Sequence, residues 1–314
     1  LKLETLLNGL ERNIFIASDS LGWVYQFWQS KRKDEVNKSE SKIGADELPA
    51  VTQLFTEPYM VSFLLDNSLG AWWANKRLNN EDLSNAENEE ELRKKASLPG
   101  VPLGYLRFVK NEDKKWTPAG GTFDEWPENL SEFKALDPCC GSGHFLVAAF
   151  LMLVPIRIEL ENLSARDAVD AVLRENLNGL EIDPRCVELA AFALALAAWK
   201  YPAAGGYRKL TKFNVACSGL ALRGNREEWI KLAGDNNSFR IALDLIYEMF
   251  KYAPTLGSLI NPLKSAAAKI VEWGELSKLI EKALDKEGGD EVNEMSVVAR
   301  GLSEAIQLLA EKYH

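Results

Sequence analysis

The sequence predicts an α/β protein: a parallel sheet over residues 131–222, a mainly helical region before it (1–130) and a helical insert or tail after it (223–314). Three observations carry this. Residues 133–146, Phe-Lys-Ala-Leu-Asp-Pro-Cys-Cys-Gly-Ser-Gly-His-Phe-Leu, set a short apolar strand, a glycine turn and a helix start in succession. Residues 177–184, Leu-Asn-Gly-Leu-Glu-Ile-Asp-Pro, form a second short strand ending in carboxylates. From Asn225 onward only amphipathic helical runs follow, with no strand pattern among them.

In chain order, Leu3, Leu6, Leu7 and Leu10 recur at helical spacing, and Leu21–Trp28 continues at a similar period. Lys31–Glu47 is charged and predicts a solvated loop. Residues 47–67 predict a helix pair around Pro49 and Pro58, with Val61, Leu64 and Leu65 on one face. The charge-dense stretch 79–97 predicts one solvated helix. Residues 99–129 are loop-like, broken by Pro118, Gly120, Gly121 and Pro127. Trp116 and Trp126 there either pin the loop to its own core, the commoner role, or stack an extruded base.

Asp137-Pro138 ends the first strand of the sheet, and Gly141 and Gly143 let the backbone turn without a Cβ in the way. Such a turn at a helix N-terminus presents N–H groups and a positive dipole end to a bound group. The interval from Gly143 to Glu181 exceeds the roughly 20 residues of a dinucleotide fold. It therefore predicts two helices, His144 to about Glu159 and a second, capped by Ser164, to about Asn176. His144 reads as a helix start and Phe145 as either pocket lining or core. After the second strand, Asp183-Pro184 opens a helix whose run Cys186–Trp199 is apolar on nearly all faces and predicts burial all round. Leu210–Ala216 predicts the third strand, and runs at 226–233, 238–251, 264–285 and 292–313 predict the helices of the tail.

With 46% apolar and 26% charged residues, the composition is that of a soluble globular protein. The net charge of −9 offers little for phosphate contacts, so any basic surface is local or lies elsewhere. The four cysteines, Cys139, Cys140, Cys186 and Cys217, have no metal-ligand spacing and predict small buried thiols in a reducing cytoplasm, with no metal site. No apolar run approaches the ~20 residues of a membrane span, and no signal-peptide layout opens the sequence, so the expected location is cytoplasmic with no membrane partner.

Asp-Pro-Cys-Cys-Gly-Ser-Gly-His-Phe (137–145) resembles motif I of the S-adenosylmethionine-dependent DNA adenine-N6 methyltransferases, and Gly-Leu-Glu-Ile-Asp-Pro (179–184) resembles their motif II. Leu-Phe-Thr-Glu-Pro-Tyr-Met-Val (54–61) is similar to motif X, giving the X, I, II order of the gamma class. Residues 22–73 are similar to the large adenine methyltransferases of BREX-type phage-defence systems. The resemblance implies a Rossmann-like methyltransferase sheet, incomplete in this chain, and S-adenosyl-L-methionine as cofactor. It implies cofactor contacts from Thr56 to the methionine end, Asp137 to the ammonium, Pro138, Gly141, Ser142 and Gly143 along the loop, Glu181 to the ribose and Ile182 to the adenine face. Read without the resemblance, Thr56 caps the helix after Pro58 and Asp137 makes a turn. Where many family members carry an Asp for the adenine amino group, this sequence offers Ser218 or nothing.

The resemblance further implies double-stranded DNA as substrate, bound through regions mostly outside this chain, and partners among defence-system proteins. The family's motif IV, Asn/Asp-Pro-Pro-Tyr/Phe, accepts from the target amino group and stacks on the flipped base. The sequence contains none: Asn261-Pro262-Leu263 lacks the second proline and the aromatic. The expectation is thus the N-terminal, cofactor-binding part of a longer methyltransferase of restriction-modification or phage-defence type, with no catalytic residue in this stretch and no methyl transfer by it alone. Two rivals stand beside it. One is another Rossmann-like enzyme, a small-molecule methyltransferase or a nicotinamide dehydrogenase. The wide loop-to-acid interval and Leu146 in place of a third glycine disfavour it. The other is a non-catalytic scaffold module of a defence complex.

Overall fold

The computed structural model describes residues 20–39, 56–211, 213–218, 225–256 and 259–287, with a few isolated positions between and before them. The chain forms two compact units, residues 1–216 and 217–314.

In the first unit α1 (Ser20–Lys38) runs through 31–38, the first part of the stretch 31–47 expected to be a loop. No Gly or Pro falls between Trp23 and Ile43, and Lys, Arg and Glu are good helix formers, so charge alone did not end the helix. Helix α2 (Pro58–Asp66) starts on proline at its first turn and buries Val61, while Leu64 of the expected apolar face is 54% exposed. Helix α3 (Leu69–Arg77) is buried through Trp72 and Trp73, and the Trp73 indole N–H donates to the carbonyl of Ala96 at 2.7 Å.

The single helix expected over 79–97 is two: α4 (Asn80–Asn85) and α5 (Glu89–Ala96). Asn79 and Asn88 each cap a new start, accepting from the N–H of Asp82 and Glu91, and the second cap ends continuity at Ala86. Within the expected loop 99–129 stands an antiparallel hairpin, β1 (Phe108–Lys110) and β2 (Trp116–Pro118), with Val109 opposite Thr117. Both tryptophans act as pins. Trp116 donates its ring N–H to Ala86 at 2.8 Å, and the Trp126 ring lies 4.5 Å from Phe123 and 5.2 Å from Phe133.

The sheet has three described strands in the order β3 (Ala135–Asp137), β4 (Leu177–Glu181), β5 (Asn214–Cys217). Strands β3 and β4 pair in parallel, Ala135 opposite Leu177 and Asp137 opposite Gly179, so the two acidic stretches belong to one βαβ unit as expected. Between them run α6 (His144–Glu161) and α7 (Ala165–Ala171), the latter capped by Ser164 and passing into a π turn, Val172–Asn176. Helix α6 buries Leu146, Phe150, Leu153, Val154 and Ile156 at 2% exposure or less. Such a helix, apolar all round, is the centre of a core. Helix α8 (Pro184–Lys200), expected to be buried all round, buries one stripe, Cys186, Ala190, Leu194 and Ala198, and exposes Leu196. One apolar cluster joins α3, α5, the hairpin, α6 and β4, so the helical region and the βαβ unit share a core.

The second unit has its own core, in which Trp229 of α9 (Arg226–Lys231) meets Tyr247 and Phe250 of α10 (Asn237–Phe250). A four-residue α11 (Ala253–Leu256) follows. The helix expected over 264–285 begins only at Trp273, as α12 (Trp273–Glu287). Residues 262–264 and 267–269 are short 3-10 turns instead, and the second seats Ala267 in the core with no exposure. The helix expected at 292–313 lies outside the described residues.

Candidate functional site

The site is the turn between β3 and α6. Its backbone N–H groups can be followed one by one. Cys139 donates to the Asp137 carboxylate at 3.2 Å, Cys140 to the carbonyl of Leu180 at 2.9 Å, Gly141 to the Glu181 carboxylate at 2.8 Å, and Gly143 to the carbonyl of Cys140 at 2.8 Å. The turn thus spends most of its donors on itself and on the end of β4. Ser142 carries the one other backbone N–H between Cys139 and Gly143.

The two glycines do different work. Gly141 has φ +52°, and a Cβ built there meets nothing within 4 Å, so its outer side is an open cradle that a side chain would fill. Gly143, at φ +85°, caps α6, and a Cβ there would lie 2.9 Å from both Cα and Cβ of Ala190 on α8. Close helix packing therefore explains Gly143 without any ligand, where the sequence suggested ligand approach for both. Gly179 in β4 is crowded likewise, a Cβ there lying 2.8 Å from Leu146 and 3.1 Å from the Cys140 sulfur.

Glu181 is 6% exposed and anchors the arrangement. Its Oε2 takes the Gly141 N–H at 2.8 Å, and its Oε1 takes the N–H groups of Ile182 at 2.8 Å and Asp183 at 3.0 Å. Asp183 caps α8, accepting from the N–H of Arg185 and pairing with its guanidinium at 2.6 Å. The Arg185 guanidinium lies 5.4 Å from the Trp28 ring of α1. Ile182, next to Glu181, is half-buried. Asp137 ends β3 on the strand beside Glu181. Burial pushes its carboxyl above the ordinary range, the Cys139 N–H opposes this, and the charge of Glu181 adds to the rise. Burial, then the charges of Asp137 and Glu181, push the Cys140 thiol up to about 12. Not all four thiols are buried as expected: Cys140 and Cys186 are, Cys217 is half-buried and Cys139 is exposed.

Beside the turn lies an apolar cavity of about 370 Å³ lined by Leu64, Leu65, Leu136, Asp137, Pro138 and Phe145. It continues along β3 into a second, of about 500 Å³, reaching Trp126, Phe133 and Lys134. Helix α2, which follows the expected cofactor residue Thr56, therefore shares a wall with Asp137 and Pro138. Thr56 itself is half-buried two residues before α2, and the helix's cap position is Glu57, with no side-chain cap bond, so the capping role considered for Thr56 does not hold. Ser218 stands one residue past β5 and is half-buried. Among the described residues the turn brings together Asp137, Pro138, Gly141, Ser142, Gly143, Glu181 and Ile182.

Sequence reasoning missed what holds β3 in place. Asn176, fully buried in the π turn, donates to the carbonyls of Leu130 at 2.6 Å and Phe133 at 2.8 Å, and accepts from Arg157 at 3.2 Å. Arg157 on α6 also pairs with Glu161 at 2.8 Å and Glu175 at 2.6 Å. The one available signal was an arginine inside an otherwise apolar helix run, which needs buried partners.

Residues 110–223 match the family described as MmeI, DNA-methyltransferase domain. The chain is 31% identical over 201 residues to the adenine-specific methyltransferase BrxX of Escherichia coli O9:H4 (strain HS), covering 63% of the chain and 15% of that protein. It is 31% identical over 176 residues to the adenine-specific methyltransferase PglX of Lacticaseibacillus casei (strain Zhang), covering 56% and 14%. It is 34% identical over 200 residues to the PglX of Streptomyces coelicolor, covering 62% and 13%. The chain thus spans about one seventh of the length of the curated relatives it matches. In the stretch that builds the turn, this chain is similar to the DNA-methyltransferase domain of the MmeI family, and over more than half its length to the adenine-specific methyltransferases BrxX and PglX.

Proposed function

We propose that this chain is the S-adenosyl-L-methionine-binding part of a DNA adenine-N6 methyltransferase acting in phage defence or restriction-modification. The observation that carries the cofactor assignment is the use of the turn's donors. A dinucleotide needs loop N–H groups turned to its pyrophosphate. Here the N–H groups of Cys139, Cys140, Gly141 and Gly143 are bonded within the protein, and two carboxylates, Asp137 and Glu181, end the adjacent strands. A cationic nucleoside without phosphate suits that surface, and a nicotinamide dinucleotide does not. The open space outside Gly141 and the apolar cavity beside Pro138 and Phe145 fit the same ligand.

When bound, S-adenosylmethionine supplies an electrophilic methyl group on its sulfonium. The residues of this chain hold and orient it. Asp137 accepts from the ammonium, Ser142 N–H and the start of α6 face the carboxylate with Thr56 at the same end, Glu181 takes the ribose and Ile182 covers the adenine face. Ser218 is the remaining polar group for the adenine edge. Catalysis in the whole enzyme rests on positioning the adenine N6 at the methyl and on acceptors for the developing positive charge. With a net charge of −9, this chain leaves DNA contacts, and any contacts with defence-system proteins, mostly to regions outside it. Among the described residues β3 is an edge of the sheet, with Leu136 at 59% exposure, and further strands of a Rossmann-like sheet would add there.

The test is calorimetric titration of the full-length protein with S-adenosylmethionine and, separately, with NAD, followed by assay of N6-methyladenine in a DNA substrate. Heat with the first ligand alone, abolished by Asp137→Ala, is the expected result. Binding of NAD in its place overturns the assignment.

A further inference from the structure

We propose that the loop joining α8 to β5 binds backbone phosphates of double-stranded DNA, at the end of the sheet away from the cofactor turn and without reading base sequence. That the polyanion is DNA rests on the function proposed above; the anion site does not. Charge is segregated along this part of the chain. No Asp or Glu falls between Glu188 and Glu227, while six Lys or Arg do, in a chain whose net charge is −9. The fold then sets the loop apart from the turn. Helix α8 leads away from the end of β4 that bears Glu181, and Asn214, opening β5, donates to the carbonyl of Arg174 just before β4 at 3.0 Å. The two strands therefore begin at one end of the sheet, where the loop from Tyr201 lies, and the carboxylates of Asp137 and Glu181 stand at the other. A phosphate chain is repelled at the second end and not at the first.

The loop is rigidly built, and its donors are open. The Trp199 indole N–H donates to the carbonyl of Arg208 at 2.9 Å, and the Arg208 guanidinium donates to the carbonyl of Ala204 at 3.3 Å and to Asp170 at 2.6 Å. Arg208 is thus a strut whose charge Asp170 already meets, Ala204 is fully buried, and the Tyr207 ring lies 4.8 Å from that of Trp199. Between these pins Ala203, Gly205 and Gly206 take φ of +59°, +92° and +69°, and Ala203 is strained there by its side chain. The N–H groups of Gly205, Gly206 and Tyr207 donate to none of the described residues, all three residues are exposed, and a Cβ at either glycine meets nothing within 4 Å. Successive turn amides of this kind are anion donors. Lys200 and Lys209 flank them in sequence, both exposed and neither paired with an acid among the described residues. Donors spread over exposed residues suit a chain of phosphates, and amide and ammonium contacts to phosphate oxygens carry no base information.

The experiment measures binding of the full-length protein to a fluorescent DNA duplex by anisotropy, from about 50 to 200 mM salt, for wild type and for Lys200→Gln combined with Lys209→Gln. Losing two phosphate contacts lowers the slope of log affinity against log salt by about 2 and weakens binding roughly tenfold or more near 100 mM. The expected result is that loss, equal on duplexes of unrelated sequence, with the melting temperature unchanged. Hydrogen exchange read by mass spectrometry should also slow in the peptide holding Gly205, Gly206 and Tyr207 when the duplex binds. An unchanged slope, or no protection of that peptide, overturns the inference while the function proposed above stands. If the variant keeps its DNA affinity but loses binding to phosphatidylserine vesicles, the loop is a membrane contact and the inference is likewise overturned. If the wild-type protein binds no duplex at all, the proposed function itself fails and the DNA assignment of this loop goes with it.

Discussion

Gly143→Ala tests whether the turn is shaped by helix packing or by its ligand. The residue sits at φ +85°, and the new methyl would lie 2.9 Å from the Ala190 Cα, a backbone atom that moves only if α8 moves. A non-glycine residue in the left-handed region costs about 1–2 kcal/mol. Forcing a methyl into a packed helix interface costs about 1–3 kcal/mol. The expected loss of folding stability is therefore about 2–5 kcal/mol. Gly141→Ala is the control: φ is +52° but the methyl enters open space, so only the backbone cost of about 1–2 kcal/mol applies. Its damage falls on ligand binding instead. Adding Ala190→Gly to Gly143→Ala should return little, because the new methyl still collides with the main chain of α8 after the Ala190 methyl is gone. Urea unfolding followed by tryptophan fluorescence measures all four proteins. Equal losses for the two glycine variants, or a Gly143→Ala protein within about 0.5 kcal/mol of wild type, would refute the packing argument.

Three further outcomes follow from the same geometry. The folded Asp137 carboxyl titrates above its ordinary 3.8, so the folded state holds a proton that the unfolded chain has released, and this group's contribution to stability falls as pH rises through that window. Asp137→Asn should therefore gain on wild type in melting temperature from about pH 4 upward; a difference that stays constant with pH contradicts the assignment. Arg157→Met leaves Glu161, Glu175 and the Asn176 side-chain carbonyl without their shared donor and should cost about 2–4 kcal/mol, less than a fully buried pair because both glutamates keep some water. A chemical denaturation midpoint unchanged by the substitution would show the network to be idle. With its thiol pushed up to about 12 and buried, Cys140 should resist alkylation in the native protein at mildly basic pH while exposed Cys139 reacts, as read by peptide mass spectrometry; early labelling of Cys140 would contradict its burial.

Local chemistry alone determined the strands near 135–137 and 177–181, the Ser164 cap and the Asp183-Pro184 helix start. Each rests on residues adjacent in sequence: a proline that stops a strand, a side chain that reaches the next N–H, a glycine that turns. The same locality misled where charge was taken for loop at 31–38, where two asparagine caps divided one helix, and where a hairpin hid among turn formers. Other features depended on groups far apart in the chain. That Gly143 answers to Ala190, that Gly141 gives its N–H to Glu181, and that Asn176 and Arg157 hold the entry to β3 follow only once α6, α8 and β4 are packed together. A sequence records which groups can donate and accept; which acceptor each donor reaches, and so how much of the turn is left for a ligand, was decided by the fold.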